Sequence, residues 1–383
     1  MKKTEELDNG VIVYQVTDEE VLKDNIYCER SYTTADSRAF IYQRLIARDR
    51  EKYFGYEEAE YVLCEFGTWK KTILGRGYSY LEMTYDGCLF FYYRRTDSGT
   101  RELVCVDTGT PSSRIIPVDG DVHPYSSMAV NCTGDLIAYG RPLSFDNQNF
   151  GVEIIDLNTG EKKVILEDPW ICNPHPQFDP SDRTSLLIQQ NRGCKFAVNG
   201  TRIKGAGKEG ATLFIVNAET GNRTPLSIGK PHTLNCSGHE QWIGRTSEIL
   251  LSLSVYTNPS DVPFPTLMTV RAGSPARLVH EKLRACHVHA SLCGRYFLVD
   301  VELSNKLVLG RIDTGRHVEL CSLGSFRLMD AQFLKFDKQY NQSAHPHAYL
   351  SRDLKWAIFN SCRTGRPEIH VASIPQELYD KIG

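Results

Sequence analysis

Short apolar runs separated by polar turn residues repeat along the whole chain. Each repeat begins with a small or polar residue, two or three turn residues that include Gly or Asp, and then a run rich in Val, Ile, Leu, Phe and Tyr. The signature starts at Thr34, Thr84, Asn131, Asp179, Ile243, Ser291 and Ser351. Apolar runs bounded by such turns are typical of β-strands and hairpins. The pattern therefore predicts an all-β protein.

The spacing of the signatures indicates the architecture. The intervals between them are 50, 47, 48, 64, 48 and 60 residues, close to the roughly 40–50 residues of a propeller blade, with insertions in two of them. A loop at Thr201–Gly210 is the predicted insertion in the fourth repeat. We expect a seven-bladed β-propeller that spans residues 1–383 as one domain. The alternative, a two-domain all-β protein, needs a linker, and no Pro/Gly/Ser-rich stretch is long enough.

An open propeller ring leaves two exposed sheet edges, which β-proteins avoid. The N-terminal run Gly10–Val16 is mostly apolar, and it precedes the first signature. We expect this run to pair with Glu368–Ile374 of the last blade and so to close the ring.

Composition and charge narrow the possible partners. The formal net charge is −3, with 44 basic and 47 acidic residues spread along the chain, so a nucleic acid or a membrane surface is not an expected partner. The N-terminus lacks an apolar leader core and no stretch approaches a membrane span, which favours a cytoplasmic protein. We expect a monomer or a weak homo-oligomer. The 12 cysteines are widely spaced without a CxxC pair, as expected of free thiols.

One repeat-equivalent position is rich in histidine. Four residues before the signatures stand Arg30, Tyr80, Ser127, His175, His239, His287 and His347. Four of these seven residues are histidines, although the chain has only 11. Because equivalent positions of successive blades meet around the central channel, we expect these side chains to line its mouth.

The last repeat adds a second histidine, His345, and an amide, Gln342. Residues two apart on a strand share a face, so His345 and His347 face the channel together if this segment is extended. With His287 they offer three imidazoles and one amide oxygen, a set that suits Mn²⁺, Ni²⁺, Fe²⁺ or Zn²⁺ better than Ca²⁺ or Mg²⁺.

These residues resemble the oligogalacturonate lyases, seven-bladed propellers that cleave short uronic-acid oligomers by β-elimination with a Mn²⁺-type ion. The segment QSAHPHAYLSRDLKWAIFNS is similar to the family's closing blade, and the resemblance implies that Gln342, His345 and His347 are metal ligands. ACHVHASLCGRYFLVD is similar to the segment with the remaining ligand, here His287. The segments CSGHEQWIG and PHPQFDPSD single out His239 and His175 in the same way.

The proton-abstracting base stays open. The family's proposed arginine precedes the strand that here reads ATLFIV, where this chain has Lys208, Glu209, Gly210, Ala211 and Thr212. The candidate catalytic residues are His239, Tyr80, Arg192 and Lys208, and Arg202 is a further basic residue in the neighbouring loop. For substrate binding we expect His175, Arg30, Arg202 and Ser127.

The predicted function is thus cleavage of acidic oligosaccharides by a metal-dependent lyase, with Mn²⁺ as the expected ion and either an oligogalacturonate or a rhamnosyl-glucuronate linkage as the target. A noncatalytic propeller that binds a ligand or a protein is the alternative, because this fold has many uses. A hydrolase is disfavoured by the absence of a GxSxG motif, and we expect Asp300 and Glu302 to be structural or solvated.

Overall fold

The computed structural model describes residues 2–48, 57–78, 81–120, 127–206, 210–253, 267–301, 304–324 and 341–383. Its regular structure in these ranges is antiparallel β-sheet, together with a 3₁₀ turn at Asn341–Ala344 and a C-terminal helix. None of the described helices has the length and hydropathy that a membrane span needs. All 12 cysteines are free thiols, as the sequence predicts.

The strands follow one another as antiparallel meanders, and we call the strand groups that contain the successive signatures units 1 to 7. The chain starts with the hairpin β1 (Lys2–Glu6) and β2 (Ile12–Gln15). Unit 1 consists of β3 (Lys23–Asn25), β4 (Ala39–Arg48), β5 (Glu57–Glu65) and β6 (Lys71–Tyr78). Unit 2 consists of β7 (Leu81–Met83), β8 (Leu89–Arg95), β9 (Arg101–Asp107) and β10 (Ser112–Ile116). Unit 3 consists of β11 (Met128–Val130), β12 (Leu136–Ser144), β13 (Asn149–Asp156) and β14 (Lys162–Asp168).

Units 4 and 5 are joined into one sheet by a single bridge between Ala211 and Cys236. Unit 4 consists of β15 (Gln177–Phe178), β16 (Ser185–Asn191), an inserted hairpin β17 (Lys195–Phe196) and β18 (Arg202–Lys204), β19 (Ala211–Asn217) and β20 (Arg223–Pro225). Unit 5 consists of β21 (Cys236–Trp242), β22 (Ile249–Leu253), β23 (Leu267–Val270) and β24 (Arg277–His280). The insertion predicted at Thr201–Gly210 thus begins inside the β17–β18 hairpin.

The last two units complete the chain. Unit 6 consists of β25 (Val288–Ala290), β26 (Tyr296–Val301), β27 (Lys306–Arg311) and β28 (His317–Ser322). Unit 7 consists of β29 (Tyr349–Leu350), β30 (Trp356–Ser361) and β31 (Glu368–Ser373), followed by helix α1 (Gln376–Ile382). Strand β2 pairs with β31 in the register Val13–Ala372, so the N-terminal hairpin belongs to the sheet of unit 7.

The apolar cores lie between neighbouring units. Each buried cluster combines side chains of adjacent sheets, as in the pairs Phe91 and Ile137, Ala138 and Leu186, Leu187 and Ile249, Leu250 and Phe297, and Leu298 and Phe359. A further cluster joins Phe40 of unit 1 to Met83 of unit 2 and Ile369 of unit 7. Sheet-on-sheet packing therefore continues from the last unit to the first.

The signature is a tight turn between the first two strands of a unit. In unit 2, Thr84 Oγ1 donates a hydrogen bond of 2.6 Å to Asp86, and Gly87 follows with φ +75°. Unit 1 repeats the turn with Thr34, Asp36 and Ser37, the last at φ +58°. A left-handed residue is needed at this position, which explains why Gly is common there.

Unit 1 departs from the pattern on its inner side. Strand β3 pairs with β4, but the chain from Ile26 to Tyr32 leaves the ladder before an isolated bridge forms at Thr33. This segment is largely buried and carries Tyr27, Glu29 and Arg30. Two of its side chains contact other units, since Tyr27 lies beside His347 at the start of unit 7 and Glu29 contacts His175 at the start of unit 4.

Candidate functional site

The histidines predicted from the repeat stand at or just before the first strands of units 4 to 7. His175 precedes β15, His239 lies in β21, His287 immediately precedes β25, and His345 and His347 precede β29. The first strand of each of these units starts at the same end of the unit. The histidine side chains therefore approach one another although they are far apart in sequence.

Three of the histidines form a compact group that we call the three-histidine cluster: His287, His345 and His347. One ring nitrogen from each lies within 4.8 Å of the others. The ring centroids of His287 and His347 are 4.7 Å apart, and those of His287 and His345 are 5.6 Å apart. His287 and His347 are almost completely buried, with 4% and 2% of their surface exposed.

Asp300 fixes the ring of His287. Nδ1 of His287 donates to Asp300 Oδ2 at 2.7 Å, and the backbone N–H of His287 donates to Asp300 Oδ1. A carboxylate bound to one imidazole nitrogen sets the tautomer and directs the other nitrogen toward a metal. Of the two expectations for Asp300, a structural or a solvated side chain, the second is wrong: Asp300 is fully buried against a candidate ligand.

The three-histidine cluster fits a first-row divalent cation. Nε2 of His347 is buried and has no hydrogen-bond partner among the described residues, although buried polar nitrogens normally have one. Burial, together with His287 and His345, holds the pKa of His347 well below its ordinary value, so its imidazole is neutral. Neutral imidazoles are the donors that Mn²⁺, Fe²⁺ and Zn²⁺ accept.

The backbone around His347 differs from the sequence expectation. His345 and His347 were expected to share the face of an extended strand, but a 3₁₀ turn ends at Ala344 and His347 has φ +43°. The two rings nevertheless lie nearly parallel, with an interplanar angle of 12° and centroids 5.8 Å apart. A left-handed non-glycine residue costs conformational energy and is characteristic of functional sites.

His239 lies beside the three-histidine cluster. Its ring centroid is 4.4 Å from that of His287, and its Nδ1 donates to the carbonyl of Cys286 at 2.8 Å. Burial and the neighbouring His287 hold its pKa well below the ordinary value. His239 is therefore a neutral imidazole whose second nitrogen, Nε2, is the one able to accept a proton.

Tyr27 connects these histidines to His175 and was not found from the sequence. Its ring lies 4.7 Å from His347, 5.9 Å from His287 and 5.6 Å from His175, measured between centroids. On the far side, His175 Nδ1 donates to Glu29 Oε1 at 2.7 Å. Burial opposes the charged form, but the carboxylate of Glu29 outweighs it and raises the pKa of His175 to about 9.

Arg30 and Ser127 belong to the predicted ring but occupy different surroundings. Arg30 is buried, and its guanidinium lies 3.5 Å from Glu82 and 5.9 Å above the ring of Tyr85. The protein thus already provides an acidic partner for this arginine. Ser127 is half-buried and immediately precedes β11.

The two predicted arginines of unit 4 are both exposed. Arg192 is exposed and donates to Thr212 Oγ1 at 3.2 Å. It lines a cavity of about 630 Å³ together with Lys230 and His232. Arg202 is exposed on β18.

Three predicted residues cannot be placed in this geometry. Tyr80 and Lys208 lie outside the described residues. Gln342 is part of the 3₁₀ turn that leads to His345, but its side chain lies outside the described part of the chain.

No protein-family model and no curated protein sequence matches this chain. Its structure, however, is similar along its whole length to that of an oligogalacturonate lyase in complex with manganese. The TM-score is 0.72 at 16% identity, and the match covers 99% of this chain and 97% of the other.

A second oligogalacturonate lyase, from Vibrio parahaemolyticus, matches with a TM-score of 0.69 at 17% identity, over 98% of this chain and 97% of the other. A chain of WD40 repeats from RRP9 matches with a TM-score of 0.51 at 8% identity, over 95% and 97%. These likenesses show that the chain has the β-propeller fold and that its overall structure is similar to those of oligogalacturonate lyases.

Proposed function

We propose that this chain is a metal-dependent lyase that cleaves uronic-acid-containing oligosaccharides by β-elimination. The observation that carries the proposal is the convergence of His287, His345 and His347 with the Asp300 carboxylate behind the first of them. The similarity in fold to two oligogalacturonate lyases supports it. The substrate would be an oligogalacturonate or a rhamnosyl-glucuronate oligomer.

His287, His345 and His347 would hold the ion, with Gln342 as the fourth ligand expected from the resemblance. When bound, a divalent ion such as Mn²⁺ supplies a Lewis acid that neutralises the uronate carboxylate and makes the C5 proton more acidic. Asp300 keeps the His287 ring in one orientation and one tautomer. This preorganisation is what ligand-supporting carboxylates contribute to metal sites.

β-Elimination also needs a proton acceptor, and His239 is the candidate that the geometry favours. It is neutral at pH 7, lies beside His287, and uses Nδ1 for the Cys286 carbonyl. Nε2 would take the C5 proton, the C5–H electron pair would form the C4=C5 double bond, and the C4–O electron pair would leave with the glycosidic oxygen, which takes a proton from water. A positioned imidazole is an ordinary general base for such a transfer. Arg192, by contrast, is exposed and bonded to Thr212.

We also infer that units 1 to 7 are seven propeller blades and that β2 closes the ring. The β2–β31 pairing and the apolar cluster shared by units 1, 2 and 7 support this inference. So does the buried ion pair between Lys23 of β3 and Glu368 of β31, whose Nζ–Oε2 distance is 2.9 Å.

The decisive experiment incubates the purified protein with oligogalacturonates or with rhamnosyl-glucuronate oligomers, with and without Mn²⁺, and follows the absorbance of the unsaturated product. We expect Mn²⁺-dependent absorbance that His345→Ala abolishes and that the exposed-histidine control His317→Ala retains. Methyl esterification of the uronate should also abolish turnover. Binding without turnover would instead indicate a noncatalytic propeller, and saturated products would indicate a hydrolase.

A further inference from the structure

A second cluster of ligand-type side chains lies next to the three-histidine cluster. It consists of Glu29, His175 and Glu240, and one ligand atom from each lies within 4.8 Å of the others. Glu29 comes from the irregular segment of unit 1, His175 from the start of unit 4, and Glu240 from β21 of unit 5. Three separate parts of the fold therefore converge on this point.

The cluster places two carboxyl groups away from water. Glu29 is 9% exposed and Glu240 only 1%. Glu240 Oε2 accepts a hydrogen bond from the Cys236 thiol at 3.6 Å. Glu240 Oε1, in contrast, is buried without a hydrogen-bond partner among the described residues. A buried carboxylate is stable only when a proton or a cation balances it. Burial accordingly raises the pKa of Glu240 to about 8, although the nearby His175 opposes this shift.

The three side chains are held in place by their surroundings. His175 stands between Pro174 and Pro176 with φ +40°, and the Pro174 carbonyl accepts a 2.7 Å hydrogen bond from Gln189 N. The β21 backbone is fixed because Gln177 Nε2 donates to the Glu240 carbonyl at 2.8 Å. A strained residue that its neighbours hold rigidly is characteristic of a built site rather than of a loose surface contact.

We propose that Glu29, His175 and Glu240 form a second divalent-cation site, distinct from the three-histidine cluster and able to bind a first-row ion such as Mn²⁺. Two carboxylates and one neutral imidazole are a donor set that Mn²⁺ accepts, and binding of the ion would release the proton that His175 carries beside Glu29. Their two negative charges balance the charge of one divalent ion. Tyr27 contacts both His175 and His347, so the two sites would face each other across this ring. The proposal concerns binding and does not depend on the lyase reaction.

The test counts bound metal rather than activity. Full-length protein is stripped with a chelator, dialysed and titrated with Mn²⁺ alone; free Mn²⁺ is measured by its EPR signal and bound metal by elemental analysis. We expect two equivalents in the wild type and one in Glu240→Gln, which keeps the side-chain volume but removes the charge. Glu153→Gln removes another buried carboxylate, from unit 3, and should keep two.

Further variants separate the two sites and guard against misfolding. His345→Ala should lose the equivalent at the three-histidine cluster and keep the second. If Glu240→Gln does not fold, Glu29→Gln provides the same measurement. One equivalent in the wild type that His345→Ala removes would overturn the proposal, as would two equivalents in a folded Glu240→Gln. Loss of metal from Glu240→Gln but not from His345→Ala would support the second site and count against the lyase centre.

Discussion

Replacement of Asp300 by asparagine should weaken metal binding without unfolding the protein. Asp300 accepts two hydrogen bonds from His287, one from the backbone N–H and one from Nδ1. The asparagine amide has the same shape but only one acceptor oxygen, so one of the two bonds is lost and an N–H group faces a donor. The imidazole ring of His287 then loses the partner that sets its tautomer and orientation.

Two independent estimates give the expected loss of Mn²⁺ affinity in Asp300→Asn. A hydrogen bond to a charged group contributes about 1.5–3 kcal/mol, and loss of a carboxylate behind a ligand typically lowers metal affinity roughly 10–100-fold. The second figure corresponds to about 1.4–2.8 kcal/mol, so the two ranges agree. We expect the Kd for Mn²⁺ at the three-histidine cluster of Asp300→Asn to rise by this factor.

Isothermal titration of chelator-treated protein with Mn²⁺ measures the change, and circular dichroism verifies the fold. Glu153→Gln is the control, because it removes another buried carboxylate, one that pairs with Arg141 at 2.8 Å and is far from the three-histidine cluster in sequence. A folded Asp300→Asn with a Kd within twofold of the wild type would refute the orienting role of this carboxylate.

Three other changes test different parts of the structure. His347→Asn should abolish the equivalent of Mn²⁺ bound at the three-histidine cluster yet keep the fold, because Asn tolerates the φ of +43° at this position. Metal analysis and thermal unfolding distinguish this result from general destabilisation, and His280→Ala is the control. Glu368→Ala leaves the fully buried ammonium of Lys23 without its main partner and should lower the free energy of unfolding by about 3–5 kcal/mol. Urea unfolding measures this change. A decrease below about 1 kcal/mol would contradict the proposed role of this pair in closing the ring. Burial lowers the pKa of His370 to about 4, so the unfolded state binds a proton first and stability falls as the pH drops from about 6.5 toward 4. His370→Gln should show a smaller loss of unfolding free energy between pH 7 and pH 5 than the wild type, and equal losses would be the contradicting result.

The β-propeller fold was predictable because its repeats are local. A turn such as Thr84–Gly87 needs a left-handed residue at its fourth position, and units 1, 2, 3, 6 and 7 all have one there, so its pattern survives in most units. The apolar run after each turn then identifies a buried strand. The first unit was harder to interpret, because the chain between Ile26 and Tyr32 leaves the strand ladder and this segment contains no Gly or Pro to mark the departure.

The site was predictable where it depends on register and not where it depends on tertiary contact. His287 and His347 occupy equivalent positions of adjacent units, so their approach follows from the repeat. Tyr27 and Glu29 lie in the irregular segment, to which no repeat register applies. Asp300 lies in β26 and reaches His287 only because this strand pairs with β25. A carboxylate on the strand next to a candidate ligand was the available signal for it.

Unit 7 also explains why the segment with the proposed metal ligands His345 and His347 needs the complete fold. Asn360 of β30 donates to the carbonyl of His345 at 2.9 Å, and Asn25 of β3 donates to the carbonyl of His347, also at 2.9 Å. The two asparagines bond to each other, since the backbone N–H of Asn25 donates to Asn360 Oδ1 at 2.7 Å. One comes from the first unit and the other from the last. The junction of the first and last units thus fixes the backbone that carries two of the three imidazoles, and damage to that junction should loosen the metal site even when no ligand is changed.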